Sequence, residues 1–174
     1  MMSVQVGRGR KMQQATPEID DRLFRNAMGS FATGVTVITT EIAEEVYGMT
    51  ANAFMSISLN PKLVAISIGE HAKMHQYIKD AKQFAINILS SEQQMVSKQF
   101  AGQINLESKI PFGSYQGLPI LEDALAVVTC QLHSDYVVGD HTIFIGQVTG
   151  IQLEQKEPLV FSQGKYRELK GFEA

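Results

Sequence analysis

Residues 48–59, GMTANAFMSISL, alternate between small polar and apolar side chains with a period of two. One parity carries small polar residues and is interrupted only by Phe54: Thr50, Asn52, Ser56 and Ser58. The other parity is apolar: Ala51, Ala53, Met55, Ile57 and Leu59. This pattern predicts a β-strand with one buried face. Because residues 47–61 carry no charge, the polar face is not typical of a surface that meets bulk water.

Helical periodicity predicts three helices. The first covers residues 16–28, with Thr16 as its N-cap and apolar residues at helical spacing behind it. The second is a short amphipathic helix over residues 72–81. Ser91 and Gln94 match a capping box at the start of the third, which has the sequence EQQMVSKQFA.

Runs rich in β-branched and apolar residues predict the other strands. They cover residues 35–40, 63–68, 83–89, 124–138, 141–154 and 158–163, with a short segment around Tyr166. Gly139-Asp140 is a hairpin signal, and residues 102–119, rich in Gly and Pro, predict a long loop. Six or seven strands with sequential hairpins favour a mainly antiparallel, closed or half-closed barrel with helices packed outside. We expect a flexible leader over residues 1–15 and a single domain over residues 16–174.

Composition narrows the class of protein. The chain has 174 residues, of which 44% are hydrophobic and 19% charged, as in ordinary globular proteins. Its net charge of −3 argues against a nucleic-acid binder that neutralises phosphates. Cys130 is the only cysteine, which excludes an intrachain disulfide. There is no membrane-spanning run and no apolar core of a secretory signal, so the expected location is the cytoplasm.

Most motifs that signal catalysis are missing. The chain has no GxGxxG, no P-loop and no GxSxG. His71 and His75 have the spacing of a helical zinc pair, but Ala72 stands where such a motif has Glu, so no metal site is expected. The uncharged polar strand therefore remains as the candidate for a binding site. Its hydroxyls and carboxamide suit a heteroaromatic ring edge and a phosphorylated polyol chain. An equally weighted alternative is a strand face covered by a loop, with its hydroxyls bonded to backbone.

Five segments, in chain order, resemble motifs of the flavin reductase family, the small NAD(P)H:flavin oxidoreductases. They are FRNAMGSFATGVTVITT, YGMTANAFMSISLNPKLVAISI, FAINILSSEQQMVSKQFAG, GDHTIFIGQV and PLVFSQGKYREL. The resemblance runs from about Phe24 to Leu169. It implies a split β-barrel, a homodimer, and FMN or FAD in a groove near the subunit interface. Two departures are Lys62, where the family often has a second proline, and HAKMH in place of a Ser/Thr-rich helix start.

The resemblance also implies which residues contact the flavin: Thr33, Gly34, Val35, Thr36, Thr50, Ala51, Asn52, Ala53, Ser56, Ser67, Ile68, Gly69, Lys73 and Phe100. Ser56 is expected near the ribityl phosphate, with Lys73 as a point charge beside it or, alternatively, as a solvated helix residue. Phe100 is expected to pack on the flavin or in the core. His141, as the catalytic residue, and Tyr166 are expected to border the nicotinamide.

The implied reaction is hydride transfer from NADH or NADPH to N5 of the flavin, and the reduced flavin would serve a separate monooxygenase by diffusion. One alternative is a non-catalytic flavin carrier on the same fold. A third interpretation, an oxidase of a small phosphorylated ring compound, is disfavoured because few Arg or Lys lie near the polar strand.

Overall fold

The computed structural model describes residues 19–107 and 110–171. Helix α1, Asp21–Gly29, begins after Asp20, whose Oδ2 accepts a hydrogen bond of 3.3 Å from the backbone N–H of Leu23. The prediction of Thr16 as the cap falls outside the described residues, as does the predicted leader. The helix begins later than predicted because Asp20, which is as good an N-cap as Thr16, caps it instead. None of the residues of α1 is buried.

The main sheet has seven antiparallel strands in the order β3-β2-β6-β9-β10-β5-β4. The strands are β2 (Thr36–Ile42), β3 (Glu45–Ala51), β4 (Phe54–Leu59), β5 (Lys62–Gly69), β6 (Gln83–Ile88), β9 (Ala126–Val138) and β10 (His141–Leu153). The predicted antiparallel, mainly β architecture is therefore confirmed. β9 and β10 form the predicted hairpin, with Gly139 at a φ of 64° in its turn.

The predicted strand over residues 48–59 is two strands, β3 and β4, which lie at opposite edges of the main sheet. Asn52 and Ala53 alone separate them, so the sheet must curl until its edges approach each other at this corner. The alternation continues across the break, which is why the sequence did not reveal it. Within the described residues the sheet stays open between these two edges, and a closed barrel is not found.

The largest core cluster lies between the curled sheet and helix α2, Lys73–Ala81. Phe84 and Phe144 from the sheet are fully buried there with Met74 and Ile78 of α2. Helix α2 packs against the sheet through its apolar stripe, which completes this core. The side chains of β4 and β5 that lie on the opposite face of the sheet do not belong to this cluster.

Two smaller sheets complete the fold. β1 (Thr33–Gly34), β11 (Val160–Ser162) and β12 (Lys165–Arg167) form one, in the order β1-β11-β12. β7 (Phe112–Tyr115) and β8 (Leu118–Leu121) form a hairpin inside the segment predicted to be a loop. Its turn residues Gln116 and Gly117 have φ values of 50° and 76°. The prediction missed it because Pro119 is unusual in a strand unless the strand lies at an edge.

Helix α3, Gln94–Phe100, follows a 3₁₀ turn, Ser91–Gln93. The capping contact lies one residue earlier than predicted: the backbone N–H of Ser90 donates to Oε1 of Gln93 at 3.1 Å. Among the described residues, no helix combines the length and apolar character that crossing a membrane requires.

Candidate active site

A cavity of about 590 Å³ lies beside the corner where β3 passes into β4. Its walls come from the end of α1, from β1, from the β3–β4 link, and from β4, β5 and β10. The lining residues are Met28, Phe31, Thr33, Asn52, Ala53, Phe54, Met55, Ala65, Ile66, Ser67 and Ile143. None of them is charged. The cavity thus has a mostly apolar wall with four neighbouring polar or small residues from the predicted site: Thr33, Asn52, Ala53 and Ser67.

Local structure explains how these four residues meet. The backbone N–H of Ser67 on β5 donates to the carbonyl of Ala53 at 3.0 Å. Ser67 is also paired with Ile143 of β10, and both side chains lie on the side of the sheet opposite the main core. Thr33 reaches the cavity from β1, where it is paired with Phe161.

The Thr33 hydroxyl has an unusual environment. Its Oγ1 is buried and has no hydrogen-bond partner among the described residues. An unpaired buried hydroxyl is unfavourable by about 1–3 kcal/mol, so such groups are few in folded proteins and call for an explanation. Because the Thr33 side chain lines the large cavity, a ligand placed there could supply the missing partner.

Gly34 is the next residue along β1. A Cβ added to it would have no described atom within 4 Å, and its φ does not lie in the left-handed region. Neither backbone conformation nor packing within the chain therefore requires glycine here. The predicted close approach of a ring is compatible with this open space.

A second, smaller cavity of about 140 Å³ shares Asn52 with the large one. It is lined by Val35, Thr50, Ala51, Asn52, Ser97, Ala101, Gln103, Phe161 and Tyr166. Thr50 Oγ1 donates to the carbonyl of Ser97 at 2.7 Å, and Ser97 Oγ shares a 2.9 Å hydrogen bond with the hydroxyl of Tyr166. The two cavities therefore meet at Asn52.

The two interpretations of the polar strand each hold for different residues. The hydroxyl of Thr50 is bonded to backbone, as the structural alternative requires. Thr36 is likewise buried, and its Oγ1 donates to the carbonyl of Ala51 at 2.6 Å. Since both protons are already used, these hydroxyls could only accept a hydrogen bond from a ligand. Asn52, in contrast, is exposed and lines both cavities.

His141 is the first residue of β10 and is paired with Gly69, the last residue of β5. Its Nδ1 donates to Oδ1 of Asp140 at 2.8 Å. That hydrogen bond, with the backbone and the imidazole charge, lowers the pKa of the Asp140 carboxyl below its usual value. Nε2 lies 3.7 Å from the position a Cβ on Gly69 would occupy. The imidazole is thus oriented by a carboxylate, with its second nitrogen directed past the end of β5.

Seven predicted flavin contacts line neither of these two cavities: Gly34, Thr36, Ser56, Ile68, Gly69, Lys73 and Phe100. Ser56 is exposed on the edge strand β4, and the Ile68 side chain is fully buried in the main core. Phe100 packs against the backbone of Gly48 and lies 5.9 Å, between ring centroids, from Phe112. Lys73 lines a separate cavity of about 340 Å³ between β3 and α2. Their predicted roles stay predictions.

Sequence reasoning missed several lining residues: Met28, Phe31, Met55, Ala65 and Ile143 in the large cavity, and Ser97, Ala101, Gln103 and Phe161 in the small one. Met28 and Phe31 belong to the motif FRNAMGSFATGVTVITT, but their apolar character predicted that they lie in the core. Ser97 carried no signal, because a serine within an amphipathic helix is ordinarily exposed. No cluster of His, Cys, Asp or Glu suited to a metal occurs in the ranges 19–107 and 110–171.

Comparison with known proteins defines the class. Residues 28–170 match the family model described as the flavin reductase like domain. The chain therefore belongs to the flavin reductase family, as the sequence motifs indicated.

Particular relatives are similar over nearly the whole chain. The reductase component of 4-hydroxyphenylacetate 3-monooxygenase from Thermus thermophilus is 42% identical over 147 residues, which are 84% of this chain and 95% of that protein. The structure of the flavin reductase PheA2 superposes with a TM-score of 0.86 and 56% identity, covering 88% of this chain and 100% of the other. The NADH:FAD oxidoreductase SgcE6 from Streptomyces globisporus, solved with NAD and FAD fragments, has a TM-score of 0.82 and 34% identity, covering 91% and 98%.

Proposed function

We propose that this protein reduces FMN or FAD with NADH or NADPH and supplies the reduced flavin to a partner monooxygenase. The observation that carries the proposal is the uncharged cavity of about 590 Å³ beside the β3–β4 corner, with the unpaired hydroxyl of Thr33 in its wall. Family membership and the names of its relatives, which include a monooxygenase reductase component and an NADH:FAD oxidoreductase, support the same function.

The residues present fit a flavin. The volume lies within the range of about 300–1,000 Å³ typical of small-molecule sites. The isoalloxazine is a flat, largely apolar ring system with a polar edge, and the cavity combines apolar walls with Thr33, Asn52 and Ser67. We assign the ring to this cavity, with Thr33 and Gly34 against it and Asn52 at its polar edge.

Bound flavin supplies N5 as the acceptor of a hydride from C4 of a reduced nicotinamide. The chain contributes binding and orientation. Because Asp140 accepts a hydrogen bond from His141 Nδ1, Nε2 is the imidazole nitrogen left for a ligand. We propose that this nitrogen forms a hydrogen bond with the nicotinamide carboxamide, which offers both a donor and an acceptor, and that Tyr166 borders the same ligand.

We also propose that the protein is a homodimer built from two split barrels. In the single chain the apolar residues of α1 and the adjoining loop are exposed, with Phe31 at 78%, and so is the apolar parity of β4, with Leu59 at 85%. Met28, Phe31 and Met55 from these two surfaces also line the large cavity. A contiguous apolar surface of this kind is typical of an interface. A second copy seated on it would shield the flavin from water.

The decisive experiment is a titration of apo-protein with FMN and with FAD, followed by NADH and NADPH oxidation assays with each flavin. We expect saturable quenching or enhancement of flavin fluorescence and turnover with at least one nicotinamide. Absence of saturable binding would refute the flavin site. Tight flavin binding without nicotinamide oxidation would favour the carrier alternative. A monomeric mass together with full activity at nanomolar concentration would refute the dimer.

A further inference from the structure

Ser97 is a buried polar residue that joins three separate elements. Its side chain is 1% exposed on α3. Its carbonyl accepts the Thr50 hydroxyl of β3 at 2.7 Å, and its Oγ bonds the Tyr166 hydroxyl of β12 at 2.9 Å. Both ends of this chain of hydrogen bonds line the smaller cavity, as Ser97 itself does.

β12 holds Tyr166 only weakly by its backbone. The strand has three residues, lies at the edge of its sheet and, among the described elements, pairs with β11 alone. The Tyr166 ring contacts Phe161 edge to face, with centroids 5.3 Å apart, and Lys98 Nζ lies 5.8 Å from the ring centroid. These contacts leave rotation about the side chain possible. The hydrogen bond to Ser97 is the directional contact that fixes where the hydroxyl end of the ring lies.

We propose that Ser97 is a positioning residue that holds the Tyr166 ring in place for the nicotinamide substrate. The inference rests on the proposed function, in which Tyr166 borders the nicotinamide. Ser97 acts through Tyr166 and touches neither reacting atom. Loss of its hydroxyl therefore lowers affinity for the nicotinamide nucleotide and leaves the hydride-transfer step and flavin binding unchanged.

The test compares Ser97→Ala, Tyr166→Phe and the double variant in steady-state NADH oxidation, with flavin affinity and the thermal midpoint measured in parallel. Tyr166→Phe keeps the ring and removes only the hydroxyl, so it preserves the test if Ser97→Ala folds poorly. Ser90→Ala is the matched control. Ser90 is equally buried and begins the same helical segment in a capping box with Gln93, and the Tyr166 hydroxyl is hydrogen-bonded to Ser97 rather than to Ser90.

Each single variant is expected to raise the KM for NADH by roughly threefold to tenfold, the effect of one neutral hydrogen bond, with kcat and flavin affinity unchanged. The double variant should equal the singles, because all three remove the same bond. Ser90→Ala should leave the KM for NADH at the wild-type value, whatever its thermal midpoint. An unchanged KM, additive effects, or a loss confined to the thermal midpoint would overturn the role of Ser97 while leaving the proposed function intact. A wild-type protein that oxidises no NADH would overturn both.

Discussion

Replacing Thr33 by valine should make the apo-protein more stable and bind flavin more weakly. Threonine and valine have nearly the same shape, so the change removes a hydroxyl without opening a cavity. In the free protein that hydroxyl is buried and has no partner among the described residues. If a flavin supplies the partner, the hydroxyl is unfavourable in the apo-protein and favourable in the complex.

The magnitude follows from the burial of this one group. An unsatisfied buried hydroxyl is unfavourable by about 1–3 kcal/mol. Taking the lower end, and a urea m-value of about 2 kcal/mol/M, the unfolding midpoint should rise by about 0.5 M. Loss of one hydrogen bond of about 1 kcal/mol in the complex should weaken flavin binding by about fivefold.

The assay is urea unfolding of flavin-free protein at one fixed concentration, since association shifts apparent stability, together with a flavin fluorescence titration. Thr36→Val is the matched control. Thr36 is also buried on a neighbouring strand, but its Oγ1 donates to the carbonyl of Ala51 at 2.6 Å. That variant should lose about 1 kcal/mol of stability. A Thr33→Val protein that is less stable than the wild type, or that binds flavin equally well, would show that the orphan hydroxyl does not serve the ligand.

Three further changes test other parts of the molecule. His141→Ala should leave flavin binding and dithionite reduction intact but slow NAD(P)H-dependent flavin reduction about tenfold or more, which is near 1.4 kcal/mol in the activation barrier. Unchanged hydride transfer in stopped-flow measurements, together with lost flavin affinity, would contradict the proposed role of His141. Gly48→Ala would place a Cβ 2.6 Å from Cε1 of Phe100 and should lower the free energy of unfolding in urea by about 1–3 kcal/mol. Adding Phe100→Leu to the same chain should restore most of this loss. A Gly48→Ala protein as stable as the wild type would refute this contact. Burial raises the pKa of the Cys130 thiol to about 12. The thiol should therefore resist Ellman's reagent at mildly alkaline pH and react with one equivalent only after the protein unfolds. Rapid labelling of the native protein would show that the core opens.

The sequence alone determined the antiparallel β class, the β9–β10 hairpin and the family. These features are encoded locally, in period-two alternation, in the Gly139-Asp140 turn and in short contiguous motifs. The resemblance to the family placed Thr33, Asn52, Ala53 and Ser67 on the list of candidate residues, and for Asn52 the uncharged polar strand had already indicated a binding role.

Only the tertiary structure decided how the 48–59 segment is used. Its alternation runs unbroken through Asn52, yet the chain passes there from one edge of the sheet to the other. β3 pairs with β2 and β4 pairs with β5 through short hairpins. The two hairpins lie at opposite edges because β2 pairs with β6 and β5 with β10, long-range pairings that a period of two cannot identify.

The same reason explains the hydrogen-bond partners within the site. The partner of Thr50 is the carbonyl of Ser97, 47 positions along the chain, whereas Thr33 has none among the described residues. Two threonines on the list of candidate residues thus have opposite environments. The difference arises because satisfaction of a buried hydroxyl depends on which elements fold against it, and that is a property of the packed chain.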